Sequence, residues 1–341
     1  MVDENAIATY AAWNNELTER MLSSSGGMFS AFAAEVFGKA GVVYAVEEKA
    51  EGLCYQRAVK LEDIRTMQGS KYYQAKSYTI DLKSLYSDVE LNKCVLLLGT
   101  SCQIGMFKAL LNERYKKIPE NILLVDIICH GVASRKEVEA YRKELEKKNG
   151  RLLRHTFRNK KNKRRGSQYS EYTFESGRIF QTDNENDYFM RFFSPGFFLR
   201  PSCYECKYAG KNKESDISIG DFNGASRVVK NFPDDTHCVS AVIVNTEKGK
   251  KFIEQVILDN RITVISTEYD IIASQNLPLL HSTERPRVRD FAINWIDKFG
   301  FINTCRLLGG KYYLRNVVKK IGGENFLNLI KRILGRTVIE H

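Results

Sequence analysis

Val95-Leu96-Leu97-Leu98-Gly99, running on into Thr100-Ser101-Cys102-Gln103, is the stretch that decides the fold. A short, continuous apolar run has no polar side to turn to water, so it reads as a strand covered on both faces. The chain then enters a helix from Ile104 to Leu111. A second apolar run, Ile122 to Ile128, carries Asp126 inside it and ends in Cys129-His130-Gly131. Strands of this kind belong to an α/β sheet, whose ligands gather outside the carboxyl ends of the strands. Cys102 and Cys129 both fall at that edge. The expected fold is therefore α/β, with a central mixed, largely parallel sheet and flanking helices. A smaller β-rich segment and a helical C-terminal region complete it.

Cys203-Tyr204-Glu205-Cys206 supplies two more thiols, three positions apart on a tight turn, where both sulfurs can face one centre. Four thiolates suit a 4Fe-4S cluster or a structural zinc. Zinc sites of this composition usually draw on two close pairs. Here one pair is close and the other two thiols sit at separate strand ends, an arrangement that favours an electron-transferring cluster. Cys54, Cys94, Cys238 and Cys305 have no partner at ligand spacing and read as structural. His130 beside Cys129 reads equally as a proton donor to the site or as a turn histidine with its bonds satisfied.

The 341 residues carry a formal net charge of +11, which favours an acidic partner: nucleic acid, an anionic membrane surface, a ferredoxin-like protein or a polyanionic cofactor. The basic run from Arg154 to Arg165 lacks aromatic interleaving and any nucleic-acid-binding module, so no specific nucleic acid is expected there. Docking of an acidic protein or a phosphate suits it better. The N-terminal MVDENAIATYAAWNN has no basic leader or apolar core, and no apolar run reaches the roughly 18 residues of a membrane span. The expected location is cytoplasmic, where cysteines are thiols or metal ligands rather than disulfides. Phe326 to Leu334 reads as a basic amphipathic helix that packs on its own protein, with peripheral membrane contact as the alternative. No GxGxxG, Walker A, HExxH or GxSxG string occurs, which argues against a standard dinucleotide fold, a P-loop enzyme, a zincin and a serine hydrolase.

Residues 1–22 look helical. Ser23 to Gly27, SSSGG, reads as a capped helix start whose free N–H groups suit a phosphate or flavin edge, or simply as a plain cap. In Gly69 to Gln74, GSKYYQ, a lysine between a Gly-Ser turn and aromatics could hold an anionic ring or phosphate, or form a surface loop. Ser240 to Asn245 reads as a strand, Thr246 to Gly249 as its turn, and the chain from about residue 250 as helices.

Taken together and in order, SSSGG-MFSAFA, GVVYAV, DIRTMQGSKYYQ, VLLLGTSCQIGMFKALL, VDIICHGVAS, CYECKYA and SDISIGDF resemble the coenzyme F-420 hydrogenase/dehydrogenase β-subunit family, from about residue 20 to residue 250. The resemblance implies an oxidoreductase carrying FAD and a 4Fe-4S cluster, between a one-electron carrier such as ferredoxin and a small organic substrate or deazaflavin. It implies Cys102, Cys129, Cys203 and Cys206 as cluster ligands. Ser24, Ser25, Gly26, Gly27, Ser70, Lys71, Tyr72, Gln74, Thr100 and Gln103 would lie around the flavin. It also implies a flavin-binding part at residues 1–91, a cysteine-bearing domain at 92–265 and a helical extension at 266–341. Relatives linked to surface-polysaccharide gene clusters give the alternative, a non-catalytic accessory protein with a structural metal held by the four cysteines. Three positions depart from the family pattern. No cysteine precedes Cys54, so the N-terminal ferredoxin-like segment of many relatives is missing and a separate donor is implied. Ser101 stands where a proline is usual, and Asn223 where a tryptophan is usual.

Overall fold

The structure, a computed structural model, describes residues 6–49, 52–160, 169–184, 186–230, 232–233 and 238–309. In chain order it begins with β1 (Ala8–Asn14), α1 (Leu17–Leu22), α2 (Met28–Gly38), β2 (Val42–Lys49) and β3 (Gly52–Ala58). Then come α3 (Leu82–Glu90), β4 (Val95–Thr100), α4 (Ser101–Tyr115), β5 (Ile122–Ile127) and α5 (Arg135–Asn149). The middle holds β6 (Leu152–Asn159), β7 (Tyr169–Phe174), β8 (Ile179–Asp183), α6 (Tyr188–Phe193) and the single turn α7 (Pro201–Tyr204). The rest is β9 (Ile217–Asp221), α8 (Ala225–Val228), β10 (Ser240–Val244), α9 (Glu247–Leu258), β11 (Ile262–Ser266), α10 (Tyr269–Gln275) and α11 (Arg289–Phe299).

Among these residues the large sheet has eight strands in the order β11-β1-β10-β9-β5-β4-β2-β3. Its centre is parallel: β2 with β4, β4 with β5, and β5 with β9. Antiparallel pairs extend it at both ends. The expected mixed α/β sheet is what forms. Alternation in the two apolar runs assigns the faces: Leu96, Leu98, Leu123 and Val125 pack toward α2 and α9, while Val95, Leu97, Ile122 and Leu124 pack toward α3 and α4. Two buried faces explain why these strands are apolar without interruption. The sheet runs through residue 91, because β2 and β3 pair on to β4. The smaller β-rich segment is the antiparallel sheet β6-β7-β8, packed on α5, α6 and the helical residues 301–309 through a core of Phe157, Tyr172, Phe189 and Phe301.

Three local expectations are corrected. Residues 8–14 are a strand, not a helix: ATYAAWN is held between β10 and β11, and pairing on both sides overrides the helix preference of its alanines. The helical reading from residue 250 onward is interrupted by β11, which pairs with β1. Thr246 to Gly249 is not a turn but the start of α9, with the Thr246 side chain capping the Gly249 N–H. The helix expected at Phe326 to Leu334 and the last part of the basic run, Lys161 to Arg165, lie outside the described residues.

Candidate metal centre at the carboxyl edge of the sheet

β4 and β5 run parallel in register, and their last partners are Thr100 and Ile127. Cys102 and Cys129 each lie two residues beyond that pair, so the register itself delivers both thiols to one edge. Cys102 sits exposed in the first turn of α4. The CxxC segment reaches the same place by a different route. Phe198, Leu199 and Arg200 lie against Val132, Ala133 and Ser134, through the Ala133–Leu199 bridge, Arg200 N–H on Val132 O at 3.0 Å and Ser134 N–H on Phe198 O at 2.9 Å. Pro201 then starts α7, pre-set for a helical first turn, and Cys203 lies on it beside the Cys129 loop.

Two glycines make the approach possible. Gly131 has φ +137°, and a Cβ there would stand 2.7 Å from Leu199 Cδ1 and 3.2 Å from Cys203 Cβ. Gly105 on α4 takes the Tyr208 ring, to which an added Cβ would come within 2.4 Å. Tyr208 follows Cys206 by two residues, so this contact presses the CxxC loop onto the helix that bears Cys102.

The electrostatics record the convergence. Burial pushes the Cys129 thiol up to about 12; the Gly131 N–H opposes this, while the sulfurs of Cys102, Cys203 and Cys206 add to it. Cys203 is also raised by burial, against the Val132 N–H and Arg200, with Cys102 and Cys206 adding. Cys129 thus feels the other three sulfurs and Cys203 feels those of Cys102 and Cys206, and backbone N–H groups point at these two sulfurs. Among the described residues no three His, Cys, Asp or Glu side chains are drawn together tightly enough to hold a single metal ion. A tetrahedral zinc with ~2.3 Å bonds needs sulfurs about 3.8 Å apart. In kind, four cysteine thiols are the donor set of a 4Fe-4S cluster.

His130 is held rather than free. Its carbonyl accepts from Thr283 Oγ1 at 2.5 Å, Nδ1 lies 3.1 Å from the same hydroxyl, and its ring meets the Phe193 ring edge. Burial lowers the imidazole's pKa, opposed by hydrogen bonds to the backbone at Phe193 and Ser194, and favours the neutral ring.

The residues that the resemblance assigns to the flavin are held in different ways. Ser24 and Ser70 meet: Ser24 Oγ accepts from the Ser70 N–H at 2.7 Å and from its hydroxyl at 2.8 Å. The SSSGG and GSKYYQ turns are thus one assembly. Ser25 and Gly26 are tied to the sheet instead, Ser25 Oγ donating to Val239 O and Gly26 N–H to Ser240 Oγ. Gly27 caps α2. Lys71 turns its ammonium back on the carbonyls of Met67, Gln68 and Gly69, and burial lowers its pKa to about 8. Tyr72 packs between Phe157 and Phe193, and its carbonyl accepts from the Ala133 N–H at 2.8 Å. Gln74 is exposed. Thr100 and Gln103 form the capping box of α4. The cavity beside Ser70 and Lys71 is about 110 Å³, too small for a whole FAD, since sites for drug-sized ligands run from roughly 300 Å³. Of the ten residues, only Ser70 and Lys71 line this cavity.

Residues 92–269 match the family described as coenzyme F420 hydrogenase/dehydrogenase, C terminus of the beta subunit. The chain belongs to this family. Its fold is similar to that of a chain in the xenon-derivatised F420-reducing [NiFe] hydrogenase complex from Methanosarcina barkeri, with a TM-score of 0.54 and 15% identity. That alignment covers 81% of this chain and 89% of the other, and at such identity it speaks for the fold alone. No curated protein matches the chain. Membership places the chain among redox subunits of the hydrogenase/dehydrogenase type, as the sequence resemblance implies, and the matched span contains all four cysteines. The SSSGG and GSKYYQ strings lie outside that span. Among the described residues no helix is long and apolar enough to cross a membrane.

Several residues of the family domain carry roles that the sequence reading missed. Ser101, in the usual proline position, donates to buried Asp126, whose other oxygen accepts from Ser215 Oγ at 2.7 Å. A carboxylate inside an apolar strand was the available signal, because such a group is buried only with partners. The basic run is not wholly a solvated loop. Arg158 is buried on Asp221, and Lys160 is buried with its ammonium on Arg20 O and Ser25 O. Asn223, in the usual tryptophan position, is exposed.

Proposed function

We propose that this chain is a flavin- and iron–sulfur-dependent oxidoreductase subunit, with Cys102, Cys129, Cys203 and Cys206 as the ligands of one 4Fe-4S cluster. FAD is the second cofactor that the family resemblance implies. What supports the reading is that the β4–β5 register brings Cys102 and Cys129 to one sheet edge, with Cys203 packed on Gly131 of the Cys129 loop. When bound, such a cluster supplies one-electron transfer. The chain's own residues would set its surroundings: the N–H groups of Gly131 and Val132 lie toward cysteine sulfurs, and hydrogen bonds to sulfur raise a cluster's reduction potential. Lys207 and Lys211 are exposed just beyond Cys206 and Cys102 is open to solvent, which suits an acidic one-electron carrier such as a ferredoxin. His130, buried and favoured in its neutral form, would be the residue beside the cysteines that holds or passes a proton.

The test is anaerobic purification with iron, acid-labile sulfide and flavin analysis, repeated on Cys203→Ala. Matched iron and sulfide, lost in the variant, is the expected result. A protein that holds only zinc and no flavin would remove the redox reading and leave the accessory role in a polysaccharide pathway.

A further inference from the structure

Thr100 ends β4 and stands at the N-cap of α4, two residues before Cys102. Two acceptors lie within reach of its one hydroxyl proton: Gln103 Oε1 at 3.0 Å and the Cys102 sulfur at 3.3 Å. Gln103 is held at both ends of its amide. Its Oε1 accepts from the Thr100 N–H at 2.9 Å, and its Nε2 donates to Ser77 Oγ at 3.2 Å. Gly99 backs the same group so closely that a Cβ there would stand 3.1 Å from Gln103 Oε1. The amide therefore stays in place, and the hydroxyl hydrogen is what can choose between the two acceptors.

A thiol and a metal-bound sulfur are different partners for that hydroxyl. A thiol can donate its own S–H to Thr100 Oγ1, which leaves the hydroxyl proton with Gln103. A cysteine that ligates a metal has given up its proton and only accepts. With the sulfur in that state, the 3.3 Å contact is a hydrogen bond only if Thr100 donates. Rotation about the Cβ–Oγ1 bond suffices, with no heavy atom displaced. Gln103 Oε1 is not orphaned by the change, because it keeps the Thr100 N–H. Hydrogen bonds to a charged acceptor are the stronger kind, so the exchange favours the sulfur.

We propose that Thr100 is a positioning residue of the metal centre, its hydroxyl donating to the Cys102 sulfur once that sulfur binds metal. The bond holds the ligand's orientation and raises the reduction potential of an iron–sulfur cluster. This deepens the reading above and rests on Cys102 being a ligand. Thr100, which the family likeness assigns to the flavin, would serve the sulfur instead.

Potentiometry on the anaerobically purified full chain tests it, with the cluster followed by the electron paramagnetic resonance signal of its reduced form. Thr100→Val removes the donor and should lower the potential by about threefold in the one-electron equilibrium constant, or about 28 mV at ~59 mV per tenfold. Thr100→Ser should keep the wild-type value. Gln103→Leu leaves the hydroxyl with the sulfur as its side-chain partner, so its potential should not fall. A role confined to capping the helix predicts a fall in both Thr100→Val and Gln103→Leu. A fall in Gln103→Leu, or no change in Thr100→Val, overturns the proposal. Gln103→Leu decides the matter where Thr100→Val does not fold. In a chain that holds zinc instead of iron the redox reading fails alone. The variants are then ranked by how fast a chelator strips the zinc, about tenfold faster from Thr100→Val and no faster from Gln103→Leu. Matched iron and sulfide with an unshifted Thr100→Val would sink only this inference.

Discussion

Gly131 lies against Cys203, so close that a Cβ on the glycine would stand 3.2 Å from the cysteine's own Cβ. This contact locks the loop after β5 to the turn that carries the CxxC pair. Gly131→Ala meets two costs, a side chain at φ +137° and a clash with Leu199 at 2.7 Å. Together they are expected to destabilise the protein by about 1–3 kcal/mol and to part Cys129 from Cys203. Urea unfolding and iron content after anaerobic reconstitution check this. Iron loading equal to wild type in a folded variant would mean that the contact does not position the ligands.

Gly105 makes the matching contact on the other side, where the Tyr208 ring fills the place of a side chain. Gly105→Ala should push the Tyr208 loop away from α4 and lower iron loading. Alanine is a better helix former than glycine, so the helix itself gains up to about 1 kcal/mol. The expected signature is therefore reduced iron with little loss of stability. Adding Tyr208→Leu to Gly105→Ala should restore loading, since the smaller side chain relieves the clash.

Ser101 and Ser215 hold the two oxygens of Asp126 behind the same edge. Ser101→Ala leaves one carboxylate oxygen without its donor at a residue only 1% exposed. The expected cost is about 1–3 kcal/mol in denaturant unfolding. A double-mutant cycle with Asp126→Asn should show coupling between the two positions, and strict additivity would argue that the hydrogen bond contributes nothing.

How far all this could be read in advance depends on where each element's stability comes from. The place of Cys102 and Cys129 just past two strand ends was legible because Val95–Leu98 and Ile122–Val125 are buried on both faces, and such strands show themselves as unbroken apolar runs. β1 was not legible. Ala8–Asn14 is a strand only because Ser240–Val244 and Ile262–Ser266, more than two hundred residues away, pair with it on either side. Local preference carries no trace of such partners. The capping box of Thr100 and Gln103 was visible as residues and was read through the family likeness as flavin contacts, although the two side chains bond each other. Lys160 is the clearest case of composition misleading: in a run of positive charges it looks solvated, yet it is 8% exposed.

That burial has a consequence for pH dependence. The Lys160 ammonium is lowered by burial from 10.5 to about 8, with Cys238 opposing and Arg158 and Arg20 adding to the shift. The unfolded chain keeps this proton up to its ordinary pKa, whereas the folded chain gives it up near 8. Between about pH 8 and 10.5 the unfolded state binds more protons, so this residue makes the free energy of unfolding rise with pH. Below that window the folded state bears the full penalty of a buried charge. Lys71, also lowered to about 8 by burial, acts in the same direction. Cysteines and tyrosines titrate in the same range, so the informative quantity is a difference between proteins. Lys160→Met, compared with wild type in urea at pH 7.5 and 9.5, should gain less stability across the interval, because one of the two lysines that favour high pH is gone. An identical gain in both proteins would mean that the Lys160 pKa is not depressed in the folded chain.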